Sequence, residues 1–184
     1  MPHSKEGKRF TVDVDGIKIG KAASKDIHGL LVLTRACIGH MRRQNIDQWD
    51  EVYPGLAIVE ADVRSDAAFV ACHHGTVAGA FVLNGYQDPE YSEVPWTFRG
   101  WPVAVVHRLM VCPEWEGKGL ARLLMEYAEA SAVQSGHRIM RLDAFSKNPR
   151  ALRFYEKLGY RNAGQVRFRK GCFLCFEKIL AGIG

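Results

Sequence analysis

Apolar residues recur along the chain at two spacings, and the changeovers between them mark its elements. Ile17 to Ala22 predicts a short strand. Ile27, Leu30, Leu31, Thr34, Ile38 and Met41 then follow a helical repeat, with Ser24 as a candidate N-cap. Asn45 to Trp49 and Tyr53-Pro54-Gly55 break that helix into a turn and a second short helix. Ala67 to Cys72 and Thr76 to Tyr86 predict a hairpin turning at His73-His74-Gly75. A long connection, Gln87 to Trp101, leads into a β-branched strand, Val103 to Val111, halted by Cys112-Pro113.

From Gly119, the residues Leu120, Leu123, Leu124, Tyr127 and Ala128 share a helical face, and Gly136 ends the helix. Arg138 to Ala144 is a further strand. Asn148 as N-cap with Pro149 at the first helical position starts a helix through Leu152, Phe154, Tyr155 and Leu158, stopped at Gly159. Tyr160 to Phe168 and Cys172 to Ile179 close the chain as strands. The order β-α-α-β-β-β-α-β-α-β-β predicts an α/β (α+β) fold, a mixed sheet with helices on its faces. The 184 residues fit one domain, expected over residues 16–184, with residues 1–15 as a flexible N-terminal tail.

Composition narrows the picture modestly. Hydrophobic residues make up 47% and charged residues 24%, which is globular usage. No apolar run approaches a membrane span and no signal-peptide core opens the chain, so a cytoplasmic address without membrane partners is expected. Five cysteines, an odd number, point to reduced thiols. Cys172 and Cys175 form a CxxC, but a spacing of three on a strand sends the sulfurs to opposite faces, so no metal site is expected. The net charge of +5 suits either nucleic acid or a phosphate-rich ligand. No nucleic-acid-binding motif supports the first.

The chemistry concentrates at Val111-Cys-Pro-Glu-Trp-Glu-Gly117-Lys-Gly119-Leu-Ala121-Arg122, where a strand ends, a glycine-rich turn follows and a helix begins at once. Unpartnered N–H groups and the macrodipole make such a helix start attractive to phosphate, and Lys118 and Arg122 add charge. The turn is neither a Walker loop nor a dinucleotide fingerprint, and alone it reads more readily as a plain strand-to-helix connection. About thirty residues later comes Asn148-Pro-Arg-Ala-Leu-Arg-Phe-Tyr155-Glu-Lys-Leu-Gly159-Tyr160.

The pair of motifs resembles the GNAT superfamily of N-acetyltransferases, whose phosphate loop follows Gln/Arg-x-x-Gly-x-Gly/Ala and whose later helix carries Asn and Tyr at these positions. The resemblance implies a mostly antiparallel twisted sheet with a splayed central strand, acetyl-CoA as co-substrate, and direct transfer in a ternary complex. It implies that Leu109, Met110 and Val111 pair with the coenzyme arm, that Gly117, Lys118, Gly119, Leu120, Ala121 and Arg122 hold the pyrophosphate, and that Asn148 touches the arm. Tyr155 matches the family's acid, placed to protonate the departing thiolate. His107 matches a base found in some members, with Asp143 as its rival and a water chain as a third possibility. By alternation along the strand, His107 and Leu109 are expected on one face. Glu116 departs from the family's Gln/Arg, so its carboxylate is expected to turn away or to pair with Lys118 or Arg122. Cys112 offers a covalent route, without a Cys–His–Asn arrangement to support it.

Acceptor specificity is expected in the first helices and the long connection. Asp47, Trp49, Asp50, Glu51 and Tyr53, then Asp88, Glu90, Tyr91, Glu93, Trp96, Phe98 and Trp101, combine acidic and aromatic character. That suits a small cationic amine, with Trp49, Tyr53, Trp96 and His107 against it. A protein N-terminus or lysine is the competing acceptor, and a non-catalytic acyl-CoA sensor the competing role. A monomer and a homodimer are both compatible with the alternating C-terminal strands.

Overall fold

The computed structural model describes residues 12–14 and 16–180. Its strands are β1 (Val12–Val14), β2 (Ile17–Lys21), β3 (Ala68–His73), β4 (Thr76–Asn84), β5 (Val103–Val111), β6 (Ile139–Phe145), β7 (Arg161–Phe168) and β8 (Gly171–Ile179). The helices are α1 (Ile27–Arg43), α2 (Leu56–Arg64), α3 (Leu120–Gln134) and α4 (Pro149–Lys157). The strands form one sheet in the order β1-β2-β3-β4-β5-β6-β8-β7. Every neighbouring pair is antiparallel except β5 and β6, which run parallel. The mixed, mostly antiparallel architecture is the one expected. Of the expected tail, residues 12–14 pair with β2 as an added edge strand, and residues 1–11 and 15 lie outside the described residues.

Helices cover both faces. Leu30, Leu33, Cys37 and Ile38 of α1 and Val59 and Val63 of α2 bury against Val70, Ala80, Val82 and Met110. Leu120, Leu124, Met125 and Ala128 of α3 bury on the opposite face against Phe81, Ala104 and Val106, with Tyr155 of α4 in the same cluster. Each of the larger side chains among them, such as Leu30 and Leu124, contributes roughly 2 kcal/mol when taken from water. The close seat of α3 depends on Gly79, where a Cβ would lie 2.9 Å from Leu124 Cδ1 and 3.1 Å from the Met110 carbonyl. Cys175 is buried while Cys172 donates to Gln165 on the outer side, and all five cysteines are free. Among the described residues no helix is long and apolar enough to cross a membrane.

Two buried charges pin the long connection to the sheet. Glu177, fully buried, accepts the N–H groups of Thr97 (2.9 Å) and Phe98 (3.1 Å). Arg141 reaches the Phe98 carbonyl at 2.8 Å and also Gln87, and its guanidinium lies 4.1 Å from the centre of the Trp96 ring. Charges buried without such partners would be costly, so the pairs fix the connection's path.

Candidate functional site

The parallel pairing of β5 with β6 runs only from Val103↔Ile139 to Val105↔Arg141, and the strands then part. A bulge in β5 accompanies the opening. Between Val82↔His107 and Ala80↔Met110 the strand carries one more residue than β4, and Arg108 takes a left-handed φ of 49°. Tertiary contacts hold this strained residue in place. Its Nη1 donates to the Tyr53 hydroxyl (2.8 Å), and its Nη2 lies 2.7 Å from both carboxylate oxygens of Asp62 on α2. The bulge also corrects the expected alternation. Leu109 packs with Ala104 and Val106 beneath α3, while His107 stays in phase with Val105 on the other face.

A cavity of about 700 Å3 runs through this opening and is lined from both faces. The half expected to hold phosphate is built on left-handed Gly117 (φ 74°) and Gly119 (φ 84°), with open space where either Cβ would stand. The first bond of α3 runs from Leu123 N to the Gly119 carbonyl, so the N–H groups of residues 119–122 point outward unpaired. Arg122, Arg150 and Lys157 also line this half. Of the residues expected to bind the coenzyme, Leu109, Met110, Val111, Gly117, Gly119, Leu120, Ala121, Asn148 and Tyr155 all line the cavity. Asn148 also caps α4, accepting Ala151 N–H at 3.1 Å.

Lys118 does not line the cavity, because its ammonium sits 5.4 Å over the Trp115 ring. Glu116 pairs with neither of its expected partners. Its Oε2 meets Arg150 Nη1 of α4 and, at 3.1 Å, His40 Nε2 of α1. Cys112 is absent from the lining and packs under α1 instead. Cys37 does line it, but burial pushes its thiol up to about 12, which leaves no thiolate to react.

Where the strands part, Tyr155 enters from the α3/α4 face while His107 and Asp143 line the cavity from the other face. Burial, reinforced by the charge of Asp143, raises the Tyr155 phenol well above its usual value. It is therefore a proton donor at any physiological pH. Burial, then the neighbouring Arg108 charge, lowers the His107 imidazole to about 4, against a backbone hydrogen bond with Tyr86. Its Nε2 stands 3.2 Å from Asn84 Oδ1. Asp143 moves oppositely. Burial raises its carboxyl to about 6, although the Tyr91 hydroxyl donates to its Oδ1 at 2.7 Å. In the sequence Tyr91 is one of several aromatic residues in the connection, with nothing to single it out.

Of the residues expected against the acceptor, Trp49 and Tyr53 line the other half of the cavity and Trp96 does not. Trp96 is a core residue: its Nε1 donates to the Tyr91 carbonyl at 2.9 Å, and its ring carries Arg141. The acids of the first connection are mostly taken. Asp50 pairs with Arg169 (2.8 Å) and Lys170 (3.1 Å), Asp47 with Lys170 (2.7 Å), and Glu51 with Arg42 (2.6 Å). Asp88 differs. It lines the cavity half-buried, with no hydrogen-bond or ion-pair partner for its carboxylate among the described residues. Among the same residues no group of three or more His, Cys, Asp or Glu side chains could hold a metal ion.

The model of the acetyltransferase (GNAT) family matches residues 35–160, which include most of the cavity lining but not Phe168, Arg169, Lys170 and Phe173. Many solved structures share the fold. An acetyltransferase of the GNAT family from Streptococcus agalactiae aligns with a TM-score of 0.79 at 22% identity, covering 93% of this chain and 98% of its own. One from Listeria monocytogenes gives 0.73 at 18% identity, covering 93% and 100%. An N-acetyltransferase from Staphylococcus aureus gives 0.65 at 17% identity, covering 90% and 99%. At these identities the likeness shows the fold alone. No curated protein matches the sequence.

Proposed function

We propose, for a chain that belongs to the GNAT family of acetyltransferases and is an acyltransferase enzyme, that it acetylates a small cationic primary amine. The observation carrying the acceptor class is Asp88, a carboxylate in the acceptor half without a cation of its own. A half-buried carboxylate left unpaired is costly, and an ammonium group in the cavity would repay that cost. Trp49 and Tyr53 add aromatic faces for the same cation.

The family's co-substrate, acetyl-CoA, supplies an activated thioester when bound. The chain fits it: the open left-handed turn at Gly117 and Gly119 leaves backbone N–H groups free for phosphate, and Arg122 and Arg150 stand beside them. Asn148 and the unpaired edge of β5 at Leu109, Met110 and Val111 face the remaining length of the cavity.

Asp143 takes the proton of the attacking amine, in preference to His107. An imidazole held near 4 is a poor base for an ammonium, whereas a carboxyl near 6 is ionised at neutral pH and as basic as its environment allows. Tyr155 Oη donates a proton to the departing sulfur from the opposite face. His107 stays neutral and forms part of the wall. A protein N-terminus or lysine is the second reading, favoured by the exposed Val52 and Leu56 that flank Tyr53.

The test is release of coenzyme A thiol from acetyl-CoA with polyamines, amino acids, aminoglycosides, arylalkylamines and short peptides, alongside calorimetry of acetyl-CoA alone. Turnover on small cationic amines above the hydrolysis rate is the expected result. Turnover on peptides alone would move the acceptor to protein, and failure to bind acetyl-CoA would overturn the assignment.

A further inference from the structure

We infer that Tyr91 is the positioning residue for Asp143, its hydroxyl holding Oδ1 so that Oδ2 is left to receive the amine's proton. The inference rests on the reading of Asp143 as the base.

Tyr91 lies in a single 3-10 turn, Pro89–Glu93, within the long connection, and is 2% exposed. Its ring packs beside Trp96 (centroids 5.2 Å apart), whose indole N–H holds the Tyr91 carbonyl at 2.9 Å. The next residues are tied down in turn by Glu177 and Arg141. The phenol is thus fixed at both its backbone and its ring, and its hydroxyl meets Asp143 Oδ1 at 2.7 Å. A connection that sequence alone gives to acceptor selection therefore also reaches the reacting centre.

The chemistry follows from what a phenol can do. With its own pKa well above the usual value, Tyr91 only donates, and a donor favours the ionised carboxylate. Burial and the charge of Asp88 both push Asp143 toward the neutral form, and Tyr91 and Arg108 oppose them. The other titratable groups coupled to Asp143 are Tyr155 from α4 and Cys175 from β8, and His107 lines the same cavity from β5. In the transfer, an N–H bond of the ammonium breaks, its electron pair stays on nitrogen, and an O–H bond forms at Oδ2. The neutral amine can then attack, and Asp143 returns the proton to solvent. A carboxylate free to rotate would share both oxygens between these tasks. With Oδ1 engaged, one oxygen is committed to the proton.

Asp143 can be followed directly, without an acceptor, in protein carrying 13C at the aspartate Cγ, its signal assigned by its loss in Asp143→Asn. The expected midpoint is near 6 in the parent protein. In Tyr91→Phe it should rise by about one to two pH units, the size of a hydrogen bond to a charged group. The acid limb of kcat/KM for an amine found in the panel should rise in parallel, with the Kd of acetyl-CoA unchanged. Tyr91→Leu provides the same comparison if the Phe variant does not fold. An unshifted midpoint in a folded variant overturns the inference. If Asp143→Asn keeps both turnover and the acid limb, the assignment of the base fails instead, whatever Tyr91 does.

Discussion

Glu116 and Arg150 meet directly, carboxylate to guanidinium, beside the Gly117–Gly119 half of the cavity, with His40 as the third member at 3.1 Å from Glu116. A negative charge thus stands where the family carries Gln or Arg, and it occupies a cation that lines the same half. The Arg150 side chain is 54% exposed, so the pair contributes less than about 1 kcal/mol to stability. In the proposed reading, the Glu116 carboxylate also repels an incoming phosphate. Glu116→Gln should therefore lower the Kd of coenzyme A by about three- to tenfold at low salt, on the order of 1 kcal/mol. The gain should shrink as salt screens the charge. Calorimetry at two salt concentrations checks both points, with a melting temperature expected within a degree or two of the parent.

Tyr155 sits opposite Asp143 across the parted strands, and its raised pKa keeps the proton on its oxygen at any physiological pH. Tyr155→Phe removes only that donor, because the ring's contacts with Tyr160 and Phe176 remain. The expected outcome is a fall in kcat of at least tenfold with the Kd of acetyl-CoA nearly unchanged. Stopped-flow turnover beside calorimetry separates the two. The parent enzyme should show no loss of rate on the alkaline side that belongs to Tyr155 below about pH 10, since its phenol titrates later than a free one.

Much of this was legible in the sequence. The helices on the faces of the sheet, the glycine turn at Gly117 and Gly119 and the cap at Asn148 follow from local spacing, which backbone sterics and burial obey directly, whereas the role of Tyr155 came from the family resemblance. What escaped was set by register between distant segments. The bulge at Arg108 depends on Asp62 and Tyr53, more than forty residues away in sequence, and it moved Leu109 to the other face. Trp96 reads as a pocket aromatic until Arg141 is found on its ring. Asp50 reads as a cation receptor until the turn between β7 and β8 brings Arg169 and Lys170 onto it. Charges do not announce their partners along the chain.

That last contact closes the Trp49–Tyr53 end of the cavity, proposed for the acceptor. Asp50 receives Arg169, Lys170 and the N–H groups of Val52 and Tyr53, which hold its carboxyl well below the usual range. Phe168, Arg169 and Lys170 line the cavity opposite Trp49 and Tyr53. Asp50→Asn keeps the turn's local hydrogen bonds but halts the ionic clamp. The KM of the acceptor should change severalfold while the Kd of acetyl-CoA does not. Amide exchange should quicken in residues 47–55 and 168–171, measured by mass spectrometry. Equal exchange in both proteins would show that the clamp has no hold on the entrance.

Asp143 should leave a mark on stability as well as on rate. Its folded value of about 6 lies above the 3.8 of the unfolded chain, so the folded state holds this proton more tightly. The stability that goes with the neutral carboxyl is whole below about pH 4 and is lost as pH rises through 6, after which the loss is constant. Two pH units correspond to about 3 kcal/mol as an upper limit. Asp143→Asn retains an oxygen for the Tyr91 hydroxyl and carries no charge to bury. It should melt several degrees above the parent at pH 7.5, with the difference closing toward pH 4. His107, lowered to about 4, acts in the reverse sense, costing stability as pH falls below 6.5, but it is common to both proteins and drops out of the comparison. Calorimetric melting at pH 4, 6 and 7.5 decides the matter. A gain in stability together with loss of turnover would mark Asp143 as a group kept for chemistry at the expense of the fold, and a destabilised variant at pH 7.5 would count against its strained burial.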